Sequence, residues 1–232
     1  MSVDVERLIR DYGHLEGKDL LAALVDGELA GHIAVTSSFG AESAVLLDLV
    51  AEVDPGLPVI FLDTDELFDE TIAYRTQLEC HLGLTNVIVV RPTKAELRDA
   101  EELWRTDEDR CCELRKVRPL ARAVAGYGAL VDGRKRAHGA EREGLATLSG
   151  GGGVLKVSPL AKWSAEEIEA HFIRRNLPRH PLVAQSYRSI GCWPCTRPVE
   201  AGQSPRAGRW AGKGKSECGI HTMSLGRDGS GI

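Results

Sequence analysis

The sequence predicts an α/β protein, an open and mostly parallel sheet flanked by helices, on three observations. Residues 33–38, 58–62 and 86–90 are short runs rich in apolar and β-branched side chains, as expected of strands buried on both faces. The first two lead into stretches with apolar residues at helical spacing, so that strand and helix alternate. Glycines and hydroxyls fall between the two kinds of segment, where a strand-to-helix turn needs them.

Taken in order, residues 33–38 form the first strand, Phe39-Gly40 the turn, and Ala44, Val45, Leu47, Leu49 and Val50 the buried face of a helix. A second strand over 58–62 ends at Asp63-Thr64, a helix runs over 67–82, and a third strand covers 86–90. Helical sequence follows over 94–104 and 112–124, then a strand at Ala129-Leu130-Val131. The four glycines 150–153 mark a hairpin or loop before the strand Val154-Leu155-Lys156-Val157. Ser164-Ala165-Glu166-Glu167 opens a helix with a capping box, burying Ile168 and Phe172. After Pro178 regular periodicity ends, which divides the chain into an α/β domain over 1–200 and a flexible, irregular C-terminal tail over 201–232.

A chain of 232 residues can bury one substantial core. Its 29 Lys and Arg against 34 Asp and Glu give a formal charge of −5, which disfavours a general nucleic-acid binder but leaves room for a small anionic ligand. The N-terminus lacks an apolar signal core and no run has membrane-spanning length, so a cytoplasmic protein away from the membrane is expected. Six cysteines in a reducing compartment point to metal or catalysis more than to disulfides.

The segment 36–43, with Ser37, Ser38, Phe39, Gly40 and Ser43, suits either a phosphate or sulfate oxygen at a helix N-terminus or an ordinary hydroxyl-capped turn. It lacks the Gly-Lys-Ser/Thr ending of a Walker loop. Asp63 and Thr64 stand where open α/β sheets bind ligands, though taken alone the segment reads more readily as a cap for the helix starting near Glu66. Cys111, Cys112, Cys192 and Cys195 form a quartet suited to zinc or to an iron–sulfur cluster. The directly adjacent pair fits a bulky 4Fe–4S cube better than a single ion. Arg115 and Lys116, four residues beyond Cys111 and Cys112, offer balancing cations. Cys80 lies on an apolar helix and is expected to be a buried structural thiol. Cys218, among Lys213, Lys215, His221 and flexible glycines, is the candidate nucleophile, with Arg206 and Arg209 as planar anion donors.

Ser189-Ile190-Gly191-Cys192-Trp193-Pro194-Cys195-Thr196-Arg197-Pro198, Arg206-Ala207-Gly208-Arg209-Trp210 and Lys215-Ser216-Glu217-Cys218-Gly219-Ile220-His221 give the chain a family likeness. It resembles the assimilatory adenosine phosphosulfate reductases, which share the PP-loop type, adenine-nucleotide α-hydrolase-like fold with phosphoadenosine phosphosulfate reductases and ATP pyrophosphatases. The resemblance implies that Cys218 attacks the sulfuryl sulfur of adenosine 5'-phosphosulfate, that thioredoxin or a similar dithiol protein releases sulfite, and that the quartet holds a 4Fe–4S cluster. It further implies that Lys116, Arg142, Arg206, Arg209 and His221 neutralise the substrate anions. Two departures stand out: the family's arginine pair with Asp-Gln-Ser is here Gly133-Arg134-Lys135-Arg136-Ala137-His138-Gly139, and a common glycine after Asp63-Thr64 is Asp65. Reduction of the 3'-phosphorylated nucleotide, an ATP pyrophosphatase and an iron–sulfur or zinc regulator are the alternatives, and a homo-oligomer is left open.

Overall fold

A computed structural model describes residues 3–139, 142–151 and 154–221, with side chains except at Gly151. Six strands form one sheet in the order β3-β2-β1-β4-β6-β5, from β1 (Ile33–Ser37), β2 (Val59–Leu62), β3 (Val87–Val90), β4 (Ala129–Val131), β5 (Leu148–Gly151) and β6 (Val154–Val157). Every neighbouring pair is parallel except β5 with β6, so the expected open, mostly parallel sheet is present. β5 itself went unread, because Leu148-Ser149-Gly150-Gly151 has too little apolar sequence to signal a strand. Its register sets Gly151 opposite Val154, and residues 152 and 153 of the expected hairpin or loop lie outside the described residues.

Alternate side chains of each central strand enter different layers. Ile33, Val35, Val59 and Phe61 join the larger core with α3 (Ser43–Val53) and α4 (Asp69–Leu82), whereas Ala34 and Ile60 meet Leu120 and Val124 of α8 (Arg118–Val124). Helices α1 (Val5–Tyr12) and α2 (Gly17–Ala23) were not anticipated; α2 packs on α3 and α1 on β5. The predicted capping box is formed at α9 (Ala165–Arg174), where Ser164 Oγ accepts the Glu167 amide at 3.1 Å and Glu167 accepts the Ser164 amide at 2.7 Å.

The two helical stretches expected over 94–104 and 112–124 are divided further. They become α5 (Lys94–Asp99), α6 (Leu103–Thr106), α7 (Glu108–Cys112), a π turn over Glu113–Val117 and then α8. Glu102 at φ 53° interrupts the first, and the Asp107 carboxylate starts α7 by accepting the Arg110 amide at 2.9 Å. Cys80 corrects the expectation of burial: it is exposed on α4, because the apolar face of that helix runs through Thr71, Tyr74 and Leu78. Among the described residues no helix is long and apolar enough to cross a membrane.

Candidate active site

Strand order reverses about β1, with β2 on one side and β4 on the other. A crevice outside the carboxyl ends of the strands is the usual ligand site at such a point. Here a cavity of about 240 Å³ opens there, lined by the loop after β1, the segment after β4, residues 188–192, and parts of 205–210 and 217–221 in the C-terminal part.

The loop after β1 is held by its own hydroxyls. Ser37 Oγ accepts the Phe39 amide at 3.2 Å and Ser43 Oγ accepts the Gly40 amide at 2.8 Å, leaving each hydroxyl hydrogen free to donate. Phe39 bends the backbone at φ 48° and sends its ring into the core, edge-on to Phe61 at 5.2 Å. Phe39 therefore does not line the cavity, whereas Ser37, Ser38, Gly40 and Ser43 do.

At the end of β2 the two candidate residues separate. Thr64 faces the cavity, with its Oγ1 3.2 Å from Cys192 Sγ, whereas Asp63 lines a different groove and binds the Arg91 Nε at 2.8 Å. Asp65 sits at φ 64°, the left-handed region that glycine adopts freely and that Asp tolerates better than most residues. The Asp63 carboxylate supports it by accepting the Asp65 amide at 3.2 Å.

The segment after β4 supplies charge that sequence reasoning had not assigned. Lys135, buried, and His138 each stand 2.9 Å from Glu42 Oε2, and His138 Nδ1 lies 3.3 Å from Arg142. Burial resists the charge on Glu42, but His138 and Lys135 prevail and hold its carboxyl down at about 2. The signal available in the sequence was the unusual 133–139 segment; its meeting with Glu42 needed the fold.

Cys218, Lys116, Arg142, Arg206, Arg209 and His221 all reach this cavity. Burial works against the charge of Lys116, yet the sulfur groups of Cys192, Cys218 and Cys112 beside it outweigh that cost and raise its pKa above the usual lysine value. Burial pushes His221 down to about 4 despite Asp132 at 3.7 Å. A ring held that low is neutral at pH 7 and serves as a hydrogen-bonding group. Arg209 runs across the bare backbone of Gly191, where an added Cβ would fall 2.4 Å from its Nη2.

Behind Lys116, Cys111, Cys112, Cys192 and Cys195 line one small second cavity, beside Trp104 and Pro194. Among the described residues no three His, Cys, Asp or Glu stand in position to hold a single metal ion. The donor set instead surrounds a space, with Arg115 behind it donating to the Thr64 carbonyl at 2.7 Å and paired with Glu66 at 3.2 Å. Burial and the neighbouring thiols push Cys111 up to about 11, and Cys112 and Cys195 rise for the same two reasons. Facing thiols of this kind ionise when a metal centre binds the sulfurs and their protons are released to water. Trp210 Nε1, buried and without a partner, adds a spare donor on the residue whose amide binds the Cys195 carbonyl at 3.0 Å. These features fit a polynuclear, sulfur-rich group.

The phosphoadenosine phosphosulfate reductase domain model matches residues 32–198, which span all six strands and the quartet. The chain belongs to that family. Within it, an adenosine 5'-phosphosulfate reductase of Chelativorans sp. (strain BNC1) is 46% identical, over 97% of this chain and 94% of that protein. One from Mesorhizobium japonicum is 45% identical over 92% and 85%. A phosphoadenosine 5'-phosphosulfate reductase of Gloeobacter violaceus is 36% identical over 94% and 93%. In fold, the family resemblance extends to the phosphoadenylyl-sulfate reductase of Candida auris in its phosphate complex, at TM-score 0.70 and 22% identity, covering 83% of this chain and 97% of that one. FMN adenylyltransferase of Candida glabrata shares the same architecture at TM-score 0.54 and 16% identity, covering 86% and 76%.

Proposed function

We propose that the chain reduces adenosine 5'-phosphosulfate to sulfite and AMP in assimilatory sulfate reduction. The observation that carries this reading is that Cys218, the β1 loop and Lys116 share one cavity, while the other four clustered thiols line an adjoining one, with Lys116 and Cys192 common to both. The Cys218 thiolate attacks the sulfuryl sulfur, the S–O bond to AMP breaks, and a thiosulfonate forms on Cys218. A thiolate of thioredoxin or a similar dithiol protein then attacks the Cys218 sulfur and expels sulfite. Its second thiol resolves the mixed disulfide, so the dithiol supplies both electrons.

Lys116, Arg206 and Arg209 bear on the charge of the departing phosphate, and the hydroxyls of Ser37, Ser38 and Ser43 supply donors. Neutral His221 orients within this site through its backbone, whose carbonyl accepts Lys156 Nζ at 2.6 Å. Cys111, Cys112, Cys192 and Cys195 would hold a 4Fe–4S cluster, which when bound supplies an electrostatic neighbour for Lys116 and the substrate anions. In this reading residues 201–232 act as the catalytic tail of the α/β domain, and those after His221 lie outside the described residues.

The deciding experiment incubates purified protein with sulfur-labelled adenosine 5'-phosphosulfate. Label should become protein-bound without reductant and leave as sulfite when thioredoxin is added; absence of both would refute the reading. The 3'-phosphorylated nucleotide is the competing substrate, since relatives of both names occur in the family. Comparison of the two kcat/KM values separates them, and the unphosphorylated form is expected to win.

A further inference from the structure

Three carboxylates face the main cavity. Two belong to the folded body and are already engaged: Asp132 with Arg134 at 2.8 Å and Ser158 at 2.9 Å, and Glu42 with Lys135 and His138. The third, Glu217, arrives on the C-terminal tail, one residue before Cys218. Its Oε1 accepts from Nε of Arg142 at 2.9 Å and from Nη2 of the same guanidinium, and its Oε2 lies 3.5 Å from Arg206 Nη2. Arg142 is nearly buried, and the only other partner recorded for its guanidinium among the described residues is His138 Nδ1. The body therefore leaves Arg142 without a carboxylate of its own.

Lys213, Lys215 and Glu217 are the charged residues of the tail segment that leads to Cys218. The two lysines dock outside the cavity at the start of α7: Lys213 on Glu108 and on the Trp104 carbonyl at 2.9 Å, Lys215 on Asp109 and on the Glu108 carbonyl at 3.1 Å. Glu217 alone reaches inside.

We propose that Glu217 is a built-in competitor for an oxyanion subsite formed by Arg142 and Arg206, which a phosphate or sulfate group of the substrate must displace. The proposal rests on the nucleotide reading above and deepens it. A carboxylate presents two oxygens to a guanidinium fork much as a phosphate or sulfate does, and Arg142 cannot serve both in full. A tethered carboxylate also competes at high effective concentration, and the apparent affinity of a ligand falls by the fraction of time the subsite is free. Burial opposes ionisation of Glu217, but the Arg142 hydrogen bond and Arg206 keep its carboxyl below the usual range, so the competitor is charged at neutral pH. Because Cys218 is the next residue, arrival of the substrate anion at this subsite loosens the tail beside the nucleophile.

Calorimetric titration of the full chain with AMP and with inorganic sulfate, at fixed ionic strength, tests this without requiring turnover. Glu217→Gln and Glu217→Ala should each lower the Kd for both probes by about tenfold, and Glu217→Asp should keep a Kd near that of the unaltered chain. Tightening is the result that a merely structural carboxylate does not produce. Unchanged or weakened binding in the Gln and Ala variants, with normal binding by the unaltered chain, would overturn the competitor alone. Failure of every variant and of the unaltered chain to bind either probe would overturn both the competitor and the nucleotide reading.

Discussion

At position 191 a side chain has no room: its Cβ would lie 2.4 to 2.6 Å from the Arg209 guanidinium, which also stacks on Trp210 at 4.5 Å. Gly191→Ala must push Arg209 out of the cavity while leaving both cores untouched. We expect kcat/KM to fall by about tenfold or more, with a melting temperature close to that of the unaltered protein in calorimetry. Cys218→Ser tests the nucleophile itself. A serine hydroxyl is a far weaker nucleophile at neutral pH and cannot enter thiol exchange, so bound sulfonate and sulfite release should both vanish while AMP binding persists. Retention of bound label in that variant would place the nucleophile elsewhere.

Among the elements, the joint between α4 and the segment after α9 depends on one buried imidazole. His180 Nδ1 accepts the Leu182 amide at 3.2 Å, which fixes the ring hydrogen on Nε2, 3.0 Å from Thr71 Oγ1. Burial lowers its pKa to about 4. Below the unfolded value near 6.5 the unfolded chain takes up a proton that the folded chain refuses, so stability falls as pH drops toward 4 and this contribution then levels off. The loss amounts to about 3 kcal/mol. Denaturant midpoints at pH 7 and pH 4.5 should show a smaller drop for His180→Asn than for the unaltered protein, and equal drops would remove His180 as the cause. Strand positions were legible from short apolar runs. The break at Glu102 and the π turn were not, because a single left-handed residue and a local change of hydrogen-bond spacing leave the apolar periodicity unmarked.

For the whole molecule, the quartet links α7 to a loop some 80 residues later through one lined cavity. Protein purified without oxygen should carry about four iron and about four acid-labile sulfide per chain. Cys195→Ser should lose most of both, and stoichiometric zinc without sulfide would defeat the cluster. Cys218→Ser should keep both, since Cys218 does not line that cavity.

The sequence by itself determined the alternation of strand and helix, the separation of Cys218 from the quartet, and the family, because periodicity and rare residue types are local signals. Tertiary structure decided where Phe39 and Asp63 point, that Cys80 is exposed, and that His221 is uncharged. It also decided that Glu42 meets His138 across 96 positions and that Arg142 meets Glu217 across 75. The physical reason is the same in each case: burial and charge compensation depend on which distant segments the sheet order brings to the carboxyl ends of β1 and β4, and no local pattern encodes that neighbourhood.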